Sequence, residues 1–304
     1  MQRFTNSPGQ ALRDEGRFAW SILAPAMVLL AAVVVAPLAI TFTYSFQNRE
    51  LLSSHNGEFV GLGNYITILT APWFWDSFVR TLYFTVVSLA LEVGLGLGVA
   101  LLLNQQFRGV ALLRALVILP WAIPTNVSAA LWRWIYHPEY GVLNALLTNL
   151  HLIDNYKTWL SDPFLAMNMV ILADVWKMTP LAVIFFLASL QFINKALYEA
   201  AALDGMGALR RFWFITLPFL MPTMAVVVVM RTMEKFKAFD LFYVMTRGGP
   251  ANGTMVLTYE AYLRGFTNLE YSTAATLAYL IGFVILALTL VYMRVLKAQE
   301  GIQE

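Results

Sequence analysis

The chain has 304 residues, of which 59% are hydrophobic and only 12% charged, and its mean hydropathy is +0.65. Soluble domains are about 45–50% apolar and about 25% charged, so this composition predicts a polytopic membrane protein. A net charge of +2 gives no reason to expect a nucleic-acid partner. The absence of cysteine from the sequence excludes disulfides, thiolate metal sites and cysteine nucleophiles.

Six apolar stretches are long enough to cross a bilayer, which takes about 20 mainly apolar residues in an α-helix. The first stretch is too long for the apolar region of a signal peptide, and no clear cleavage site follows it, so we interpret it as a retained span. The sequence therefore predicts six transmembrane helices, at 18–48, 77–103, 111–136, 164–192, 212–236 and 272–296.

The loops are too short to bury a core of their own, which makes the chain one membrane domain with two tails. The predicted domain is 18–296 and contains a central polar loop at 194–213. The segments outside it are an N-terminal tail at 1–17 and a C-terminal tail at 297–304.

The distribution of lysine and arginine predicts the orientation in the membrane. Six spans put both termini on one side, and basic residues concentrate in cytoplasmic loops. Ten of the 20 lysines and arginines lie in the two tails, the loops on their side and the adjoining span ends, against five in the opposite loops. We therefore expect both termini and the central loop to be cytoplasmic, and the loops at 49–76, 137–163 and 237–271 to face outward.

Glu92, Asp174 and Lys177 lie well inside predicted spans, where charge is costly and usually faces the bundle interior or a wet cavity. Glu92 is predicted to anchor its span against a neighbouring helix. Asp174 and Lys177 are three residues apart on one helix face, so they can pair with each other or, with Trp176 between them, line a polar path.

Charged and aromatic residues also crowd the outer end of the fifth span. A solvated helix end explains Lys237. Glu234 with Phe239 and Asp240 instead favours the rim of a cavity, because aromatic faces and carboxylate acceptors together suit a polyhydroxylated ligand.

Other motifs favour structural roles. The glycines of Gly94-Leu-Gly-Leu-Gly98 lie in mid-span, where small residues let helices approach closely. The histidines at 55, 137 and 151 are in loops without zinc spacing, and the sequence contains neither a Walker phosphate loop nor a nucleophile elbow. We expect no metal, no cofactor bound by the chain and no catalytic activity of its own.

The central loop carries the most specific pattern. Glu199-Ala-Ala-Ala-Leu-Asp204-Gly205, then Phe212 and Ile215-Thr-Leu-Pro218, resembles the EAA signature of ABC-importer permeases, the membrane subunits of binding-protein-dependent uptake systems. The wider resemblance is to the sugar-permease branch that includes the larger permease of maltose systems, here in a six-span form. The supporting stretches are 59–65, 119–124, Trp132 with Gly141 and Asn144, 159–160, Trp176 with Pro180, 239–240, and 246–250 followed by Thr254.

The resemblance implies an all-α, type I importer permease whose central loop forms a coupling helix in a cleft of a cytoplasmic ATPase. Glu199 would pair with a basic group of that ATPase, and Ala200 and Ala201 would fit its apolar groove. Asp204 would cap the local backbone or contact the partner, and Gly205 would allow the turn out of the helix.

The resemblance also implies the partners and the cargo. They are a second, homologous permease, two ATPase subunits that bind ATP and Mg²⁺, an external binding protein, and a sugar, with a disaccharide of the trehalose, maltose or sucrose type as the working expectation. The substrate path between the two permeases would include Asn126, Trp132, Trp176, Glu234, Phe239 and Asp240.

Three alternatives stay open at this stage. A related importer could carry glycerol-3-phosphate or its diesters, which would favour basic residues in the cavity. A self-contained secondary transporter would show inverted repeats around a midplane ion site, and no such symmetry is visible. A membrane-embedded enzyme would need a paired catalytic constellation within the spans.

Overall fold

A computed structural model describes residues 8–50 and 57–300, with side chains at 19–50 and 57–294. Most of these residues are helical, and the named strands among them form one short hairpin in which β1 (Gln47–Asn48) pairs antiparallel with β2 (Glu58–Phe59). The first half of the chain forms α1 (Pro8–Leu30), α2 (Ala36–Ser45), α3 (Gly63–Thr70), α4 (Pro72–Leu103), α5 (Val110–Ala122), α6 (Thr125–Ile135) and α7 (Val142–Asn149). The second half forms α8 (Pro163–Gln191), α9 (Lys195–Leu203), α10 (Ala208–Arg211), α11 (Leu217–Phe236), α12 (Asp240–Met245), α13 (Leu257–Tyr262) and α14 (Tyr271–Glu300).

Wide π-helical turns at Ala31–Val35 and Phe212–Thr216 join α1 to α2 and α10 to α11, so that each pair forms one long helix. A third such turn, Leu263–Thr267, follows α13. Within the described residues, five helices are long and apolar enough to span a membrane, at Ala19–Ser45, Pro72–Leu103, Pro163–Gln191, Ala208–Phe236 and Tyr271–Arg294. They match five of the six predicted spans.

The predicted third span is not one straight helix. α5 and α6 together cover it, but they meet at an angle of 98°. Pro124 explains the break, because proline lacks the N–H that would continue the helix and its ring forces the preceding residue out of the helical region. Ile123 accordingly has extended backbone angles of φ −74° and ψ 131°. The apolar stretch predicted at 111–136 is therefore helical on both sides of a break at its centre.

The fourth span is the axis of the bundle. In the most apolar 18-residue stretch of α8, 56% of the residues are buried. The corresponding share is 28% in α4 and zero in the first span. Apolar side chains all round a helix indicate burial inside a bundle. The first span instead presents its apolar side chains outward, as a helix in contact with lipid does.

A glycine lets α4 and α8 approach closely. A Cβ placed on Gly96 would lie 2.7 Å from the Cβ of Ala182, whereas nothing stands within 4 Å of a Cβ on Gly94 or Gly98. The prediction of a helix-packing role is therefore confirmed for Gly96 and does not hold for the other two glycines.

Polar side chains fix the loops at the end of the bundle opposite α9, which we call the distal end. Asn64 donates to the carbonyl oxygens of Ser45 and Gln47, both at 2.9 Å, and so clamps the end of the first span. Asn144 accepts from the indole of Trp159 at 2.9 Å and closes the loop between α7 and α8. Asn64, Asn144 and Trp159, which are among the residues that carry the resemblance described above, therefore hold the distal loops in place.

Gly96→Ala should destabilise the protein by about 1–3 kcal/mol, because the added methyl group overpacks the contact with Ala182. Gly98→Ala is the matched control, and it should be neutral or stabilising by up to about 1 kcal/mol through helix propensity. Thermal unfolding of the two variants in detergent measures the difference. An equal loss of stability in both variants would show that the close approach at Gly96 does not contribute to stability.

Candidate coupling helix and translocation cavity

Four buried charges tie three spans together in the middle of the bundle. Glu92 of α4 accepts two hydrogen bonds from Arg231 of α11, at 3.0 and 3.2 Å, and one from the Lys235 ammonium at 2.6 Å. Lys235 also donates to Asp174 of α8. We call Glu92, Asp174, Arg231 and Lys235 the charge cluster.

The charge cluster is neutral and almost completely withdrawn from solvent. It contains two carboxylates and two cations, and the side chains of Glu92, Arg231 and Lys235 are each no more than 2% exposed. Burying charge is tolerated when the groups are paired and hydrogen-bonded. Glu92 is thus the predicted structural anchor, and its partners come from the fifth span.

The predicted alternative that Asp174 pairs with Lys177 was wrong. Asp174 is bonded to Lys235 on the facing helix, which competes successfully for its carboxylate. Lys177 is 4% exposed and forms no ion pair with any of the described residues.

A cavity of about 160 Å³ opens beside the charge cluster, toward the distal end. Three of the predicted path residues, Glu234, Phe239 and Asp240, line it together. Glu234 also accepts a hydrogen bond from Arg231, which connects the cavity wall to the charge cluster. The remaining lining residues are Thr125, Asp174, Met178, Arg231, Lys235, Lys237, Ala238 and Leu241.

The other predicted path residues lie outside this lining. Trp132 and Trp176 contact each other edge to face, with ring centroids 5.5 Å apart, on the α6 and α8 side. The indole nitrogen of Trp132 is buried and has no hydrogen-bond partner within the described part of the chain. Asn126 is exposed and does not line the cavity, although its neighbour Thr125 does.

Sequence reasoning missed Thr125, Met178, Lys237, Ala238 and Leu241 as lining residues, and it assigned no joint role to the charges. The available signal was the charge balance of the spans. Five charged residues at Glu92, Asp174, Lys177, Arg231 and Lys235 are nearly neutral as a set, which favours pairing across helices.

The central loop folds into α9, which begins with a side-chain cap. The Asn194 side chain accepts a hydrogen bond from the Ala196 amide at 2.9 Å. Such a cap satisfies one of the free amides of the first turn. Helix formation over Lys195–Leu203 is therefore supported locally by the sequence.

The other end of α9 is closed by a Schellman motif. The amides of Gly205 and Met206 donate to the carbonyls of Ala202 and Ala201, at 3.1 and 2.9 Å. Gly205 has φ +77°, a left-handed conformation that glycine adopts without penalty. This geometry provides the turn out of the helix that was predicted at Gly205.

The outer face of α9 is open. Glu199 and Asp204 are exposed, Leu203 is 90% exposed, and Glu199 makes no ion pair with another described residue. Ala200 is exposed as well, but Ala201 is only 7% exposed and faces the protein's own bundle. The expectation that Ala201 offers its side chain to a partner's groove therefore does not fit this placement, whereas Ala200 does fit.

α9 is bonded directly to the fifth span. The Tyr198 hydroxyl and the Thr216 hydroxyl lie 2.8 Å apart, and both side chains are largely withdrawn from solvent. The helix is therefore attached to α8 through the chain and to the fifth span through this hydrogen bond.

A bundle of apolar helices that carries one capped, exposed helix between its fourth and fifth spans is the architecture of an ABC-importer permease. The permease chain of a bacterial ABC transporter that imports the polysaccharide alginate superposes with a TM-score of 0.81 at 22% identity, over 94% of this chain and 97% of that one. At this identity the match shows the fold alone.

The sequence comparisons give the family. Residues 92–300 match the model of the "binding-protein-dependent transport system inner membrane component". The trehalose/maltose transport system permease protein MalF of Thermococcus litoralis is 36% identical over 282 residues, which cover 92% of this chain and 94% of that protein. The trehalose transport system permease protein SugA of Mycobacterium tuberculosis H37Rv is 34% identical over 83% of this chain and 80% of that protein. The chain belongs to the family of inner membrane components of binding-protein-dependent transport systems, as a membrane permease subunit of an ABC importer.

Glu92→Ala should destabilise the protein by about 3–5 kcal/mol, because it removes the one carboxylate that contacts both of the buried cations Arg231 and Lys235. Asp76→Ala is the control on the same helix, and because Asp76 is exposed near the helix N-terminus its removal should cost no more than about 1 kcal/mol. The melting temperature of the purified membrane protein distinguishes the two. A Glu92 variant as stable as the Asp76 variant would contradict an anchoring role for the charge cluster.

Proposed function

We propose that the chain is one of two permease subunits of an ATP-driven importer for a neutral sugar, most suitably a disaccharide of the trehalose or maltose class. The observation that carries this proposal is α9, a helix capped at both ends, open on its outer face and hydrogen-bonded to the fifth span. Such a helix can dock on a soluble partner and pass a displacement to the spans.

Coupling to the ATPase rests on the open face of α9. Glu199 is an exposed carboxylate without an ion-pair partner among the described residues, so it can accept a basic group of an ATPase subunit. Ala200 and Leu203 supply apolar surface beside it. Ala201 packs inward and Gly205 sets the exit turn, while the exposed carboxylate of Asp204 is available to contact the partner.

The transport cycle follows from differential affinity for two states. ATP and Mg²⁺ bound by the partner ATPases bring those subunits together and move the coupling helices. The spans then change from inward-open to outward-open, and an external binding protein delivers the sugar. A second permease completes the path, because the cavity beside the charge cluster lies open on one side of this chain.

The charges around the cavity favour a neutral cargo. Arg231 and Lys235 are both engaged by Glu92, with further bonds to Glu234 and Asp174. Neither of these two cations is free to bind a phosphate, and the charge of Lys237, the third cation of the lining, is matched by the carboxylate of Asp240 in the same lining. Phe239 offers an aromatic face, and the carboxylate of Asp240 is exposed as an acceptor for hydroxyl groups. The sugar names carried by the two relatives agree with this chemistry.

The orientation proposed from the positive-inside rule places α9 in the cytoplasm. Lys195 and Arg210 are exposed at the α9 end of the bundle, where positive charge is expected on the cytoplasmic face. Both termini then lie in the cytoplasm, and the distal end faces the binding protein. The membrane is the inner membrane of a prokaryote.

Glu199→Ala should abolish ATP-dependent sugar uptake, because it removes the ion pair to the ATPase. The membrane subunits should still assemble, because no other contact is removed. The measurement is uptake by the reconstituted complex, together with co-purification of the two permeases. Glu139→Ala is the matched control, an exposed carboxylate at the distal end that should leave uptake unchanged. Normal uptake by the Glu199 variant would refute the coupling role.

Uptake of labelled trehalose or maltose by the complete complex tests the cargo. We expect transport of at least one of these neutral disaccharides and no competition by excess glycerol-3-phosphate, since Arg231 and Lys235 are neutralised within the bundle. Transport of glycerol-3-phosphate in preference to both sugars would reject the neutral-sugar assignment and leave the coupling assignment standing.

A further inference from the structure

A second, larger cavity lies at the distal end, next to the cavity that borders the charge cluster. Its volume is about 450 Å³, within the range of about 300–1,000 Å³ that is usual for small-molecule pockets. The end of the first span, α13 and the start of α14 enclose it. Its lining residues are Thr41, Tyr44, Phe239, Thr258, Ala261, Tyr262, Gly265, Phe266, Tyr271, Ala274, Ala275 and Ala278.

Phe239 lines both cavities. From its ring a row of aromatic side chains leads outward. The centroids of Phe239 and Tyr262 are 5.0 Å apart, and those of Tyr262 and Phe266 are 5.3 Å apart in a stacked arrangement. We call Phe239, Tyr262 and Phe266 the aromatic row.

The row runs from the interior to the surface. Phe239 and Tyr262 are half-buried, and Phe266 is 75% exposed. Gly265 holds the outer part of the row close to α14, because a Cβ there would stand 2.9 Å from the Cβ of Ala274. The small side chains of α14 form a floor opposite the aromatic rings.

The chemistry of this cavity suits a neutral ring that has an apolar face. None of its lining residues carries a charge at neutral pH, so it offers an ionic group no partner. The flat aromatic faces suit the C–H face of a pyranose ring, and the phenols of Tyr44, Tyr262 and Tyr271 supply donors and acceptors for hydroxyl groups.

Aromatic residues at a membrane interface commonly form a belt in contact with lipid headgroups. Two observations favour a sugar over lipid here. The rings line a concave cavity, and that cavity adjoins the candidate translocation cavity through Phe239. A lipid-facing belt requires neither feature.

We propose that the distal cavity is an aromatic subsite that holds one pyranose ring of a neutral oligosaccharide before the sugar reaches the cavity beside the charge cluster. This inference rests on the proposed function. It adds residues that neither the EAA resemblance nor the charge pattern indicated, namely Tyr262, Phe266 and the small-residue floor of α14.

The natural sequence has no cysteine, so Phe266→Cys introduces a single thiol into this chain. In the complex reconstituted with its partner subunits, a charged, membrane-impermeant methanethiosulfonate reagent should label that thiol from the distal side. Millimolar maltose or trehalose should slow the labelling several-fold. Phe59→Cys is the matched control, since Phe59 is 77% exposed at the same end and outside the cavity. Its labelling should not respond to sugar.

Uptake kinetics provide the second readout. Phe266→Leu and Tyr262→Leu should raise KM for the transported disaccharide about two- to tenfold, the worth of one aromatic stacking contact. The conservative variant Phe266→Tyr should keep KM near that of the wild type, and Phe59→Leu should not change it. A merely structural role of Phe266 would lower the amount of assembled complex without a selective change in KM.

The outcomes separate the subsite from the function on which it rests. Sugar transport with normal KM in both leucine variants, or a thiol at 266 that only lipid-soluble reagents reach, would overturn the subsite and leave the importer assignment intact. A wild-type complex that transports neither disaccharide and prefers a charged cargo would overturn both.

Discussion

The pairing of Arg231 and Lys235 with Glu92 and Asp174 is the constraint on which the arrangement of the spans depends. These groups come from α4, α8 and the fifth span, and none of them could stay ionised alone at this depth. Because each cation contacts a carboxylate on another helix, rotating one span would leave a charge without its partner. The cluster therefore sets the register of the three helices. It also leaves Glu234, Phe239 and Asp240 facing one cavity.

Hydropathy predicted the spans because the requirement for about 20 apolar residues is strong and local. The ends of the helices also followed local signals, such as Pro72 at the start of α4 and Gly205 after α9. Pro124 was visible in the sequence, but the 98° bend depends on how neighbouring helices pack against α5 and α6. A local pattern does not contain that information.

The ion pairs were less accessible to prediction than the spans. Glu92 and Arg231 are 139 residues apart in the chain, and the nearer pairing of Asp174 with Lys177 was equally plausible from spacing. Only the packing of α8 against the fifth span brings Lys235 to Asp174. Likewise, Phe266 and Phe239 belong to one row because α13 folds back toward the end of the fifth span, which no periodicity in the sequence reveals.

The hydrogen bond between Tyr198 and Thr216 has a mechanical consequence. It joins α9 to the base of the fifth span, while Lys235 and Asp174 join that span to α8 nearer the opposite end. Two helices that are held together at both levels resist sliding past each other but can still tilt together. Under the proposed coupling, a force applied to α9 would therefore tilt the fourth and fifth spans together and would deform the loop between them little.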